Sequence, residues 1–157
     1  MRRNLSISLV GLTLLAPRGA SAQVFTWIGP PAGSWSNPAN WSGGAVPTAQ
    51  STVIIDGAPG QNSNVAIDVP ASITGLSLSA GDSATVLDGR LLRFDGSPLS
   101  TIDGPGTLVL GSPTGGAQVS ADRSIRLSGG GTMRFAGLGL LNANLRIDQS
   151  DYHIIGT

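Results

Sequence analysis

Short runs of alternating apolar and polar residues, separated by Gly, Asp, Ser and Pro, follow one another from residue 52 onwards. Such alternation places every second side chain on one face, which predicts short β-strands. The runs are TVIID (52–56), VAIDV (65–69), ITGLSLS (73–79), LLRFDG (91–96), GTLVLGS (106–112), SIRLS (124–128) and TMRFAG (132–137). The pattern therefore predicts an all-β protein.

The spacing of these runs is regular over residues 73–135. One column of apolar pairs recurs at nearly equal steps, and it consists of Leu76/Leu78, Leu92/Phe94, Leu108/Leu110 and Ile125/Leu127. A second column recurs at the same steps, and it consists of Val86, Ile102, Val119 and Phe135. Two columns with one period favour a β-solenoid, that is, a parallel β-helix with coils of roughly 16 to 17 residues. In that interpretation Leu78, Phe94, Leu110 and Leu127 form one buried ladder.

Asp-Gly dipeptides stand at the ends of several strands and are expected to form corners, because Gly adopts positive φ and Asp bonds turn backbone. They are Asp56-Gly57, Asp88-Gly89, Asp95-Gly96 and Asp103-Gly104. The same dipeptides form two-residue turns between antiparallel strands. A β-sandwich is therefore the alternative fold.

The first 22 residues have the three parts of a secretory signal peptide. Two Arg follow Met1, residues 5–16 are apolar, and Ala20-Ser21-Ala22 offers a cleavage site before Gln23. The apolar stretch is shorter than the roughly 20 residues that a membrane-spanning helix needs. We therefore predict a secreted, extracellular or cell-surface protein with no membrane span in the mature chain. The predicted divisions are a signal peptide (1–22), a Trp/Pro-rich cap segment (23–50) and solenoid coils (51–157), with the sequence continuing beyond residue 157.

Composition narrows the class of protein further. The chain contains neither Lys nor Glu, and only 11% of its residues are charged against 40% hydrophobic. Two strong helix formers are therefore absent, which argues against helical bundles. The net charge is zero and no basic cluster lies beyond the leader, so nucleic acid is not an expected partner. Without cysteine, disulfides and thiol-based metal sites are excluded.

The three tryptophans, Trp27, Trp35 and Trp41, lie within the Pro-rich residues 25–56. We favour the interpretation that their rings cover the open end of the solenoid, which otherwise exposes core and strand edge. The alternative is a glycan-binding platform, because exposed indole faces stack on sugar rings. On that alternative, these three residues are the candidate site.

The same segment resembles a known group of proteins. Trp27-x-Gly29, Gly33-x-Trp35, Asn40-Trp41-x-x-Gly44, Pro47 and the strand TVIID are similar to the start of secreted bacterial β-helix proteins, which include autotransporter passenger-like and PEP-CTERM-sorted proteins. The segment also distantly resembles the G8 domain. The resemblance implies a cell-surface or extracellular protein with an adhesive or structural role.

Candidate catalytic chemistry is sparse. Gly81-Asp82-Ser83 is similar to an esterase nucleophile block, and His153 is the single histidine, but Asp151-x-His153 departs from the esterase spacing. We therefore expect Ser83 to lie in a polar turn. A polysaccharide lyase would need an arginine as its base, and the candidates are Arg90, Arg93, Arg123, Arg126 and Arg134. Arginine is a poor base. Arg93 and Arg126 also alternate with inward residues, so we expect them to point outward into solvent.

The sequence also gives little indication of a metal site. Asp88, Asp95, Asp103 and Asp122 form no recognisable calcium motif. We expect no catalytic site, no metal and no cofactor. The sequence thus favours a non-catalytic extracellular or cell-surface β-solenoid module of structural or adhesion type, whose partners are surface glycans or other surface proteins. The alternative is a carbohydrate-binding or polysaccharide lyase-like protein.

Overall fold

The computed structural model describes residues 23–57, 61–96, 99–147 and 151–156. The predicted signal peptide lies outside these residues. Within the described part of the chain, a 3-10 turn, Pro38–Asn40, accompanies the strands. The strands are β1 Gln23–Thr26, β2 Ala32–Ser34, β3 Ser51–Ile55, β4 Asn64–Ile67, β5 Ala71–Ile73, β6 Gly75–Leu78, β7 Ser83–Val86, β8 Leu91–Phe94, β9 Ser100–Asp103, β10 Thr107–Leu110, β11 Gln118–Leu127, β12 Thr132–Phe135, β13 Leu140–Ile147 and β14 His153–Gly156.

These strands form a parallel β-solenoid of about five turns with three faces. The first face stacks β1, β3, β6, β9 and the second halves of β11 and β13. The second face stacks β2, β4, β7, β10, β12 and β14. The third face stacks β5, β8 and the first halves of β11 and β13. All ladders between these strands are parallel, which confirms the solenoid and removes the β-sandwich alternative.

Each coil is longer than the sequence predicts. Successive partners on the first face are Phe25, Val53, Leu76, Ile102, Leu127 and Ile147. One coil of the stack thus takes roughly 20 to 28 residues, within the range of solenoid repeats. The predicted period was wrong because each coil has three strands. Successive members of each apolar column lie two strands apart along the chain, and not one full coil apart. The step in the sequence pattern corresponds to about two thirds of one coil.

The expected ladder is accordingly divided among the three faces. Leu78 and Leu127 lie on the first face, Phe94 on the third and Leu110 on the second. All four side chains are nevertheless buried, since the inward alternation of each strand was assigned correctly. The error concerns which strand lies above which, and not which side chains face the core.

The corners of the coils use glycine in two ways. Gly89 and Gly104 adopt positive φ, as expected for Asp-Gly corners, whereas Gly57 and Gly96 do not. A Cβ atom on Gly104 would also lie 2.2 Å from the carbonyl oxygen of Leu78 in the preceding coil. This corner therefore needs glycine both for its backbone conformation and for the close stacking of coils.

Candidate functional site

The three tryptophans form one ring cluster in the first coil. Trp27 follows β1, Trp35 follows β2, and Trp41 follows the 3-10 turn. The Trp41 ring meets Trp27 edge to face at a centroid distance of 5.0 Å and Trp35 at 4.7 Å. The side chains are 3%, 0% and 1% exposed for Trp27, Trp35 and Trp41, respectively, and they belong to the main core. In this arrangement no indole face is free to stack on a sugar.

Two of the three indole N–H groups are bonded within the same segment. Trp27 Nε1 donates to the carbonyl oxygen of Pro30 at 3.1 Å, and Trp41 Nε1 donates to that of Trp35 at 2.8 Å. Trp35 Nε1 is buried and has no hydrogen-bond partner among the described residues. Since β1 and β2 are the terminal strands of their sheets, the cluster packs where the core would otherwise meet solvent.

Ser83 and His153 lie in the same outward column of the second face but far apart along it. Ser83 pairs with Thr107, Thr107 with Thr132, and Thr132 with His153. Three strand spacings separate them, which is roughly 14 Å. The Ser83 hydroxyl instead donates to Oδ1 of Asn64 at 2.5 Å. The histidine is therefore too distant to activate this serine.

Asp82 of the same motif has a structural contact. Its side chain is 3% exposed. Oδ1 accepts a hydrogen bond from the amide of Ser63 at 2.6 Å, and Oδ2 accepts one from the amide of Gly57 at 3.2 Å. The carboxylate thus holds the preceding coil at the corner after β3.

Five further aspartates also join neighbouring coils, and we refer to all six as the inter-coil carboxylates. The other contacts are Asp68 with Ser36, Asp88 with Ser112, Asp95 with Ser72, Asp103 with Ser128, and Asp122 with Arg93. The partners of these five aspartates lie 23 to 32 residues away in the sequence, which is about one coil. From the sequence alone, several of these residues are predicted only to form turns. A search for Asp and Ser separated by one full coil would have found most of these pairs.

Asp68 shows how such a contact affects ionisation. Burial by itself raises the pKa of Asp68, but hydrogen bonds from the hydroxyl and amide of Ser36, together with the charge of Arg90, lower it below its ordinary value. The ionised form is therefore favoured in the folded chain. This contribution to stability is present at neutral pH and is lost as the pH falls through the folded pKa.

Arg93 lies on the outside of the third face, as the sequence predicts. Its guanidinium contacts Asp95 and, in the next coil, Asp122. Hydrogen bonds to these two carboxylates raise the pKa of Arg93 above its ordinary value, so it does not act as a base at neutral pH. The other candidate bases, Arg90, Arg123, Arg126 and Arg134, are also exposed on the surface.

One surface groove of about 300 Å³ follows the corner between the second and third faces. Arg90 and Gln118 supply its polar side chains, and Leu138 and Leu140 supply its apolar ones. The Leu138 side chain is 82% exposed. The groove combines hydrogen-bond donors and acceptors with an apolar wall, but it contains none of the tryptophans.

The described residues contain no group of three or more His, Asp or Glu side chains that could hold a metal ion. The same part of the chain contains no helix long and apolar enough to cross a membrane. Comparison with known proteins identifies no relative, since no family model, curated protein or solved structure matches the chain.

Proposed function

We propose that this chain is a non-catalytic extracellular or cell-surface β-solenoid module with a structural or adhesive role. The observation that carries the proposal is the use of the inter-coil carboxylates. Of the eight aspartates that the structure describes, six accept hydrogen bonds from a neighbouring coil or form an ion pair with it. A catalytic acid or metal ligand must direct its lone pairs at substrate or metal. Here these lone pairs stabilise the stack.

The predicted signal peptide and the N-terminal segment support an extracellular or cell-surface location. A charged start, an apolar stretch and a small-residue cleavage site are typical of exported chains. The resemblance of residues 25–56 to secreted β-helix proteins supports the same location. A cysteine-free solenoid suits this setting, because its stability comes from burial and backbone pairing and does not depend on the redox state outside the cell.

The proposal is tested by locating the exported chain and assaying it for turnover. We expect antibody labelling to find the chain in the medium or on intact cells, with Gln23 at its N-terminus by intact-mass analysis. We expect no unsaturated or newly reducing product from a panel of acidic and neutral polysaccharides. A chain retained in the cytoplasm would refute the compartment, and turnover abolished by Arg90→Ala would replace the proposal with a lyase-like enzyme.

The groove supports a second candidate function, which is glycan binding. Arg90 and Gln118 present planar polar groups beside the exposed Leu138, and such a mixture suits the hydroxyls and apolar faces of sugars. A glycan array should then give a signal that Arg90→Ala/Gln118→Ala removes. The matched control is Arg134→Ala/Gln61→Ala, which alters the same residue types outside the groove.

The same array tests the tryptophan hypothesis. Trp27→Ala, Trp35→Ala and Trp41→Ala should each lower stability without affecting a glycan signal, since the rings are buried. Loss of binding with an unchanged melting temperature would instead support a tryptophan platform.

A further inference from the structure

The four Asp-Gly corners of the solenoid carry the same two groups that can react with each other. They are Asp56-Gly57, Asp88-Gly89, Asp95-Gly96 and Asp103-Gly104. In each corner the glycine nitrogen can attack the side-chain carboxyl carbon of the preceding aspartate, because glycine has no Cβ atom to obstruct the approach. The structure distinguishes the four corners by the contacts that hold the carboxyl group.

Three of the four carboxyl groups are held by a neighbouring coil. The contacts are Asp88 with the amide and hydroxyl of Ser112, Asp95 with the hydroxyl of Ser72, and Asp103 with the hydroxyl of Ser128. A carboxyl group held in this way must break its hydrogen bonds before it can turn towards the glycine nitrogen that follows it. Breaking these bonds adds to the free-energy barrier of the reaction.

Asp56 is the exception among the four aspartates. Its side chain is exposed, and its carboxyl group forms no hydrogen bond or ion pair with any residue that the structure describes. The amide of Gly57 donates to Oδ2 of Asp82 at 3.2 Å, which is the longest hydrogen bond formed by the four corner glycine amides. The carboxyl group is therefore free to turn towards an amide that is held no more tightly than the other three.

We propose that Asp56-Gly57 is a site of spontaneous backbone modification, at which aspartate isomerises to isoaspartate through a cyclic imide. This goes beyond the proposed function and does not depend on it. In the first step the Gly57 nitrogen forms a bond to Cγ of Asp56 in its protonated form. The bond from Cγ to the hydroxyl oxygen breaks, and the hydroxyl group leaves together with the amide proton as water.

The second step consumes one water molecule. Water adds to the main-chain carbonyl carbon of Asp56, and the bond from this carbon to the Gly57 nitrogen breaks. The chain then continues through Cβ and Cγ of the aspartate, and the former main-chain carbonyl group becomes a carboxylate. Addition of water to Cγ instead restores the original aspartate.

The isoaspartate product does not fit the corner after β3. A Cβ atom on Gly57 would lie 2.0 Å from the carbonyl oxygen of Gln61, so the backbone is closely packed here. Isoaspartate lengthens this backbone by one carbon atom and displaces the Gly57 amide from Asp82. Asp82 also accepts a hydrogen bond from the amide of Ser63 at 2.6 Å. Isomerisation should therefore loosen the corner and lower the urea midpoint of the chain.

Timed incubation of the purified chain, followed by proteolysis and electron-transfer fragmentation, tests the proposal. We expect isoaspartate to form at Asp56 roughly tenfold faster or more than at Asp88, Asp95 or Asp103. The matched control is the same chain unfolded in urea, in which all four positions should react at similar rates. Asp56→Glu should form no isoaspartate at this corner and should keep its urea midpoint during incubation.

A second variant tests whether the inter-coil hydrogen bond protects an aspartate. Ser128→Ala removes the hydroxyl that bonds Asp103 but keeps the backbone bond from the Gly104 amide to the carbonyl oxygen of residue 128. It should raise the isomerisation rate at Asp103 several-fold and leave the rate at Asp56 unchanged. Equal rates at the four corners of the folded chain, the same excess at Asp56 in urea, or a rate at Asp103 that Ser128→Ala does not change would each overturn the proposal.

Discussion

At the scale of single residues, Asp82 gives the clearest prediction. Its buried carboxylate accepts amide hydrogen bonds from Ser63 and Gly57. Asp82→Ala leaves both donors without this partner, and we expect a loss of about 2 to 4 kcal/mol in the free energy of unfolding, measured by urea denaturation. Asp82→Asn keeps one acceptor oxygen and should lose less. Asp56→Ala, at an exposed position, is the control and should change stability by less than about 0.5 kcal/mol.

The alkaline stability of the chain depends on Tyr152. Burial raises the pKa of Tyr152 to about 12, against an ordinary value of 10. Since the unfolded chain loses this proton first, stability should fall as the pH rises above about 10, by about 2 kcal/mol near pH 12. The chain has one Tyr and no Lys or Cys, so no other side chain is expected to titrate between pH 10 and 12.

Urea midpoints measured from pH 8 to 12 should show this decline in the wild-type chain. Tyr152→Phe removes the ionisable group and should flatten the profile over the same range. An equal decline in both proteins would contradict the assignment to Tyr152.

At the scale of the strands, inward and outward positions should respond differently to substitution. Phe94 is buried on β8, whereas its neighbour Arg93 is exposed. Phe94→Asp introduces a buried, unpaired charge and should destabilise the chain by several kcal/mol. Arg93→Ser removes exposed ion pairs with Asp95 and Asp122, which solvent screens, and should leave the stability almost unchanged. Thermal melts should separate the two variants clearly, and equal shifts would refute the inward assignment of Phe94.

The existence of the strands was predictable, whereas their stacking was not. Alternation identifies Leu76, Leu92 and Leu108 as inward residues because a strand has the same two-residue period on every face. That period carries no information on which face a strand occupies. With three evenly spaced strands in each coil, a step that skips one strand is as regular as a step around the whole coil. Stacking is decided by backbone pairing and corner lengths, which hydrophobic alternation does not show.

The candidate site was predictable to a similar extent. The clustering of Trp27, Trp35 and Trp41 in one segment indicated a shared role, and the structure brings the rings into contact. Sequence spacing could not decide whether the rings are exposed, because exposure depends on the coil above them. The contact between Asp88 and Ser112 was missed for a related reason, since recognising it requires the correct coil length.

At the scale of the whole molecule, the stack is quasi-one-dimensional, so local stability should vary along its axis. A central coil is supported on both sides, whereas β14 pairs only with β12 among the strands that the structure describes. All four residues of β14 are exposed, whereas β7 and β10 each contain two or more buried residues. Fewer buried contacts make local opening less costly in free energy.

Hydrogen exchange followed by mass spectrometry should reveal this gradient. We expect the amides of β14 to exchange roughly a hundredfold faster than those of β7 and β10 when the chain is dilute, corresponding to a difference of about 3 kcal/mol in opening free energy. Uniform exchange along the dilute chain would contradict a stack in which each coil is stabilised by its neighbours.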